Sequence, residues 1–209
     1  MKLTIHPFEK KQAIDPLMYG VFFEDINYGG DGGMYAELVA NRSFENVNHQ
    51  GEDCRMMRWS PLPGGKIAIR DESPRSEHNP HYLHVLGGVK NEGYLGQGFY
   101  AKQGASYRLT VICRAEKPTK IVASFIAEDG TILASNDLFA TTGGDWSKLY
   151  SSVTMEATSQ RAWLTLTCDA PFDLDFVSLM PADTFLGREN GLRRDIAQAI
   201  ADLKPAFLR

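Results

Sequence analysis

The chain has 209 residues, 43% of them hydrophobic and 23% charged, a globular composition with length for one large domain or one and a half ordinary ones. Its 22 Lys and Arg against 26 Asp and Glu give a formal net charge of -4, so no global positive field recruits a polyanion and nucleic acid is excluded as a first partner. No apolar run approaches the roughly 20 residues that cross a bilayer, and MKLTIHPFEKK lacks the hydrophobic segment of a secretory signal, so the chain reads as soluble, without a membrane partner, and cytoplasmic.

Two short apolar runs come first, LTIHPF at the start and MYGVFFEDIN from Met18 to Asn27. Val21, Phe22 and Phe23 in succession predict a strand buried on both faces, which releases polar groups at its C-terminal end. Glu24, Asp25 and Asn27 stand where that strand gives way to NYGGDGG, the position where parallel α/β barrels keep ligand-binding side chains. Spacing alone fits a solvated strand end equally well. Glycines 29, 30, 32 and 33 form no phosphate loop, because no Lys-Ser/Thr follows and Asp31 sits among them. In GMYAELVAN, Met34 with Leu38 and Tyr35 with Val39 stand four apart, which predicts a short helix over 33–41.

From about Trp59 to Pro181 the chain is a succession of runs rich in β-branched and aromatic residues. KIAIR, HYLHVL, GYLGQGFYA, SYRLTVICRA, KIVASFIA, ILASNDLFA, KLYSSVTM, AWLTLTC and FDLDFVSL supply about nine strands, with turns at Glu128-Asp129-Gly130 and Gly143-Gly144-Asp145. A two-sheet sandwich of jelly-roll type is the expected architecture. Cys54, Cys113 and Cys168 are too few and too scattered for a disulfide framework or a CxxC metal site, and read as small buried hydrophobes. EHNPHYLH puts three histidines at three-residue spacing, but Pro80 forbids a helix and a strand would turn His81 and His84 to opposite faces. No serine lies in a GxSxG elbow. Exposed aromatics on such a sandwich would stack on sugar rings. Trp163, in RAWLTLTCD, is expected to point inward, and Tyr94, among the glycines of EGYLGQG, to be the glycan-stacking aromatic at the surface.

After the β region, NGLRRDIAQAIADLKP aligns Leu192, Ile196, Ala199, Ile200 and Leu203 on one stripe, with Asn190 as N-cap and Pro205 as stop. Ala206-Phe207-Leu208-Arg209 then reads as the opening of a strand. A strand, a helix and a second strand would make the first unit of a parallel barrel, with the β region inserted in one of its loops. The chain thus reads as mainly β, a jelly-roll sandwich inserted between the first strand and first helix of an incomplete (β/α) barrel. Residues 1–51 hold an N-terminal strand, the first barrel strand and a loop or helix; 52–181 the jelly roll; 182–209 the first barrel helix and the start of the second strand.

YGVFFEDINYGGDGGMYAELVANRSFEN, Tyr19 to Asn46, closely resembles the N-terminal signature of the α-L-arabinofuranosidases of glycoside hydrolase family 51. LDFVSLMPADTFLGRENGLRRDIAQAIADLKPAFLR is similar to the segment that runs into that family's second barrel strand, and NEGYLGQGFYAKQGASYRLTVICRAE with DWSKLYSSVTM to an inserted carbohydrate-binding jelly roll akin to module families 4 and 9. The resemblance implies a retaining hydrolase that releases terminal α-L-arabinofuranosyl units from arabinoxylan, arabinan or their oligosaccharides, requires no cofactor, and forms homo-oligomers. Such hydrolysis needs two carboxyl groups about 5–5.5 Å apart, which in the family come from later barrel strands. Asn91-Glu92 lies in the β region, and no counterpart of the nucleophile precedes Arg209. The chain is therefore expected to hold neither catalytic residue and to be inactive alone. The resemblance carries over Glu24, as the glutamate that hydrogen-bonds arabinofuranose hydroxyls in the cleavage subsite, and Arg209, as the arginine of a Leu-Arg-Phe/Trp-Pro-Gly-Gly motif. Asp25 and Asn27 take supporting roles. Asp175 in LDFVSL matches an aspartate that bears on a structural calcium in such modules; a strand-edge Asp bonding backbone is the alternative. A free-standing carbohydrate-binding module would explain the β region but not the flanks, and a sandwich that binds only protein ranks behind both.

Overall fold

A computed structural model describes residues 2–9, 13–48, 50–140 and 144–209. Among the described residues eleven strands make two antiparallel sheets. One orders β1 (Trp59–Pro61), β4 (Gly88–Asn91), β10 (Ser159–Thr167), β7 (Thr119–Ala127) and β8 (Ile132–Ala140), with β5 (Phe99–Ala101) also pairing with β10. The other orders β2 (Lys66–Arg70), β3 (Tyr82–Leu86), β11 (Phe172–Pro181), β6 (Ser106–Arg114) and β9 (Ser147–Thr154). Alternation sets the core between them: Leu109, Val111 and Cys113 of β6 and Val177 and Leu179 of β11 meet Ile121, Ala123 and Phe125 of β7 and Leu164 and Leu166 of β10. Burying each such large aliphatic side chain contributes about 1.5–3 kcal/mol. The hairpin at 128–131 forms as expected: Gly130 takes φ +87°, which a Cβ would resist, while Asp129 Oδ1 accepts the Thr131 N–H. Gly143 lies outside the described residues. Short β1 and β4 escaped the sequence reading, and of the run 93–101 only Phe99–Ala101 is strand.

The flanks fold differently in detail. The helix expected over 33–41 is absent, because its backbone is used elsewhere: Ala36 N–H donates to Gly191 O, Leu38 N–H to Leu179 O, and Tyr35 bridges Leu192. Residues 37–42 lie along β11 where β3 has ended; Val177 N–H donates to Arg42 O. Val39 and Phe44 belong to the sandwich core. The C-terminal helix α1 (Arg194–Asp202) starts four residues after Asn190, which is not its cap. Asn190 is left-handed at φ +46°, and residues 192–193 are held by Phe185 N–H to Leu192 O and Arg193 N–H to Met34 O, so helical geometry begins only at Arg194. LTIHPF forms no strand; Leu3, Ile5 and Phe8 are exposed.

The two flanking strand segments do meet. Ala206 N–H donates to Tyr19 O, Val21 N–H to Phe207 O, Arg209 N–H to Val21 O and Phe23 N–H to Arg209 O, a parallel ladder centred on the Val21–Leu208 bridge. Parallel pairing requires a crossover, and here the sandwich and α1 together make it. Phe22 and Phe23 are exposed rather than buried on both faces.

Candidate functional site

The parallel ladder decides where the sequence-predicted residues stand. Phe23 is the last residue of its segment to bond, and its acceptor is Arg209 at 2.7 Å. Glu24 follows directly, so Glu24 and Arg209 share the C-terminal edge of two adjacent parallel strands, and both are exposed there. Asp25 does not project as a free carboxylate. Its Oδ1 accepts the Gly30 N–H at 2.7 Å and closes the glycine-rich loop. Asn27 and Tyr28 take φ of +52° and +64° and turn the chain away from the strand.

The loop is bolted to the sandwich through residues that sequence reasoning passed over. Asp31 pairs with Arg42 at 3.4 Å, and Arg42 lies over the rings of Tyr35 and Phe176 at 5.4 and 5.8 Å. Arg42 also reaches Glu37 Oε2 at 3.4 Å. Glu37 is fully buried: Oε1 accepts N–H groups from Val39 and Leu179, and Oε2 accepts the Ser178 hydroxyl. Burial pushes its carboxyl above the ordinary glutamate range, against the pull of the Ser178, Leu179 and Val39 hydrogen bonds and the Arg42 charge. Asn91, also buried, accepts the Ala40 and Gly93 N–H groups and donates to Ala40 O. Its role is to hold backbone, which removes Asn91-Glu92 from consideration as a catalytic pair. A run of polar residues between apolar ones, ELVANRSFEN, was the available signal for this clamp.

Tyr94 joins the same assembly. It is half-buried, its ring edge-to-face with Tyr28 at 5.3 Å, and a Cβ on Gly32, at φ +80°, would meet that ring at 2.4 Å. Burial, with the charge of Asp31, pushes its phenol well above the usual range. The expected surface stacker is thus a packing residue under the loop. Trp163 reverses the other expectation: Ala162, Leu164 and Leu166 face the core, and Trp163 turns outward beneath the Lys90 ammonium, 5.4 Å from its centroid. His81 and His84 carry out separate pairings, with Glu45 and Asp173.

Asp175 sits at the bulge where β11 shifts register against β6. It is buried, and its Oδ2 faces Arg75 Nη1 at 3.5 Å. Burial raises its carboxyl, with Arg75 opposing. The Arg75 guanidinium thus stands beside the carboxylate that the resemblance linked to a structural calcium. Among the described residues no group of three or more His, Cys, Asp or Glu could hold a metal ion, whereas calcium takes six to eight oxygens. No helix of the described residues is long and apolar enough to cross a membrane.

No protein-family model matches the chain. Among curated proteins it is 38% identical over 209 residues to an extracellular exo-α-L-arabinofuranosidase of Streptomyces chartreusis, covering 99% of this chain and 25% of that protein. It is 32% identical over 218 residues to α-L-arabinofuranosidase 2 of Arabidopsis thaliana, covering 95% of this chain and 32% of that protein. Among solved structures it superposes on the arabinose-bound α-L-arabinofuranosidase MgGH51 with a TM-score of 0.84 and 27% identity, over 97% of this chain and 35% of that one. The chain spans about a quarter to a third of the length of the relatives it matches.

Proposed function

The chain corresponds to the N-terminal part of the α-L-arabinofuranosidases of glycoside hydrolase family 51, and from that premise we propose that it builds one side of the subsite that holds a terminal α-L-arabinofuranosyl unit. The single observation that carries this reading is the parallel ladder between 19–23 and 206–209, which brings Glu24 and Arg209 to one strand edge. In a parallel barrel that edge is where ligands bind. Glu24 accepts from sugar hydroxyls, and the Arg209 guanidinium donates to sugar oxygens. Neither does the bond-breaking. Retaining hydrolysis needs an acid and a nucleophile on opposite sides of the glycosidic bond, and in this chain Asp25 is tied to Gly30 and Asp31 to Arg42. The catalytic pair comes from outside residues 1–209, and the substrates are arabinose-containing oligo- or polysaccharides.

The sandwich then acts as a brace. Hydrogen bonds and packing from Glu37, Arg42 and Tyr94 fix the loop after Glu24, and such preorganisation is what a sugar subsite requires. In an enzyme carrying these residues, Glu24→Gln lowers kcat/KM on an aryl α-L-arabinofuranoside by about 100-fold or more, at an unchanged melting temperature. A variant within twofold of the parent would remove Glu24 from the subsite.

A further inference from the structure

Across the outer face of the second sheet runs a groove of about 480 Å³ that neither Glu24 nor Arg209 lines. The registers of β11, β6 and β9 build it in three rungs, Phe176–Ile112–Lys148, Ser178–Thr110–Tyr150 and Met180–Arg108–Ser152. Directly opposed side chains of antiparallel strands share a face, so the three rungs combine two aromatics, hydroxyls and two cations. Tyr150 on the edge strand is 69% exposed, a large ring open to solvent. The Lys148 ammonium lies 5.1 Å from its centroid. On the next rung, Arg108 reaches only the outlying Glu189, at 3.8 Å, and its buried Nη2 has no hydrogen-bond partner among the described residues. Arg42, the third cation in the lining, is already neutralised by Asp31 and Glu37.

An exposed tyrosine face suits the apolar face of a sugar ring. A guanidinium with an unmet donor, beside an ammonium, suits a carboxylate. We propose that this groove binds an acidic saccharide segment, one bearing a hexuronate, with a ring stacked on Tyr150, the carboxylate on Arg108 and Lys148 as the second cation. The proposal stands on this sheet face and not on the cleavage subsite, so it survives or fails without reference to hydrolysis. It adds to the brace a device that selects acid-substituted glycans.

The test is calorimetric titration of the 209-residue chain with a glucuronic-acid-substituted xylo-oligosaccharide and with its neutral counterpart. The acidic oligosaccharide binds about tenfold or more tighter, and its advantage shrinks as salt is raised. Tyr150→Ala weakens both about fivefold or more, while Arg108→Gln and Lys148→Gln erase the preference for the acid and leave the neutral oligosaccharide unchanged. Tyr150 and Lys148 are exposed on an edge strand, so their variants keep the parent melting temperature. Absence of binding by either oligosaccharide, equal affinity for both, or indifference to Tyr150→Ala would overturn the proposal.

Discussion

Glu37 and Ser178 lie 141 positions apart in the chain and are hydrogen-bonded inside it, the hydroxyl donating to Oε2 at 2.5 Å. Through this pair the segment that leaves the glycine-rich loop is fixed to the longest strand of the sandwich. Glu37→Ala strands the Val39 and Leu179 N–H groups and the Ser178 hydroxyl without their acceptor. Leaving buried donors unpaired costs on the order of 3 kcal/mol. Urea unfolding will show the unfolding free energy fall by about that amount, with a lower midpoint, and an unchanged midpoint would mean the clamp bears no load.

Gly32→Ala tests the contact between loop and sandwich from the other side. At φ +80° a non-glycine residue costs about 1–2 kcal/mol, and the added Cβ must also displace the Tyr94 ring. The variant loses stability, and the Tyr28–Tyr94 packing is lost with it, read as a change in near-ultraviolet circular dichroism. Gly51→Ala, with nothing within 4 Å at φ +80°, is the control that separates backbone strain from ring displacement.

The thiols divide by burial. Burial pushes the Cys113 thiol up to about 12, whereas Cys54 is only half-buried and open to reagents. At pH 8 a disulfide reagent modifies Cys54 in the native chain, and Cys113 only after unfolding. The sign for stability follows: the unfolded thiol loses its proton from about pH 8.5 and the folded one keeps it to about 12. The folded state therefore binds the extra proton in that window, and Cys113 makes stability fall as pH rises through it. A Cys113→Ala chain will show a shallower alkaline decline.

Much of the sandwich could be read from sequence because alternation and turn chemistry are local. ILASNDLFA and SYRLTVICRA each pair over nine residues, and the Asp129-Gly130 hairpin formed where it was expected. The helix over 33–41 could not be read correctly, since the four-residue spacing of Met34 and Leu38 is outweighed by hydrogen bonds to Gly191 and Leu179, far along the chain. The same long-range accounting delayed α1. Of the candidate site, Glu24 and Arg209 were singled out from motif words, and the parallel ladder gives the two positions a common edge. Glu37 and Arg42 were not, because a buried charge reveals itself only once its partners are in place. Trp163 was misplaced for a simpler reason: strand phase was assigned from the aromatic, when the small Ala162 sets the inward face.

The strand edge has its own consequence. Phe22 is 71% exposed and Leu208 69%, on two parallel strands with no further strand beside them among the described residues. Large exposed apolar surface of this kind associates. Sedimentation of the 209-residue chain will show concentration-dependent self-association that Phe22→Ser with Leu208→Ser reduces; a concentration-independent monomer would show that the edge is protected.

The most direct measurement is hydrolysis of a chromogenic aryl α-L-arabinofuranoside by the purified 209-residue chain, with Glu24→Gln as control. If Glu24 and Arg209 hold the sugar while the acid and nucleophile lie elsewhere, the chain gives no turnover above buffer. Turnover that disappears in Glu24→Gln would contradict the account, because it would make Glu24 a catalytic carboxylate and this chain an enzyme in its own right.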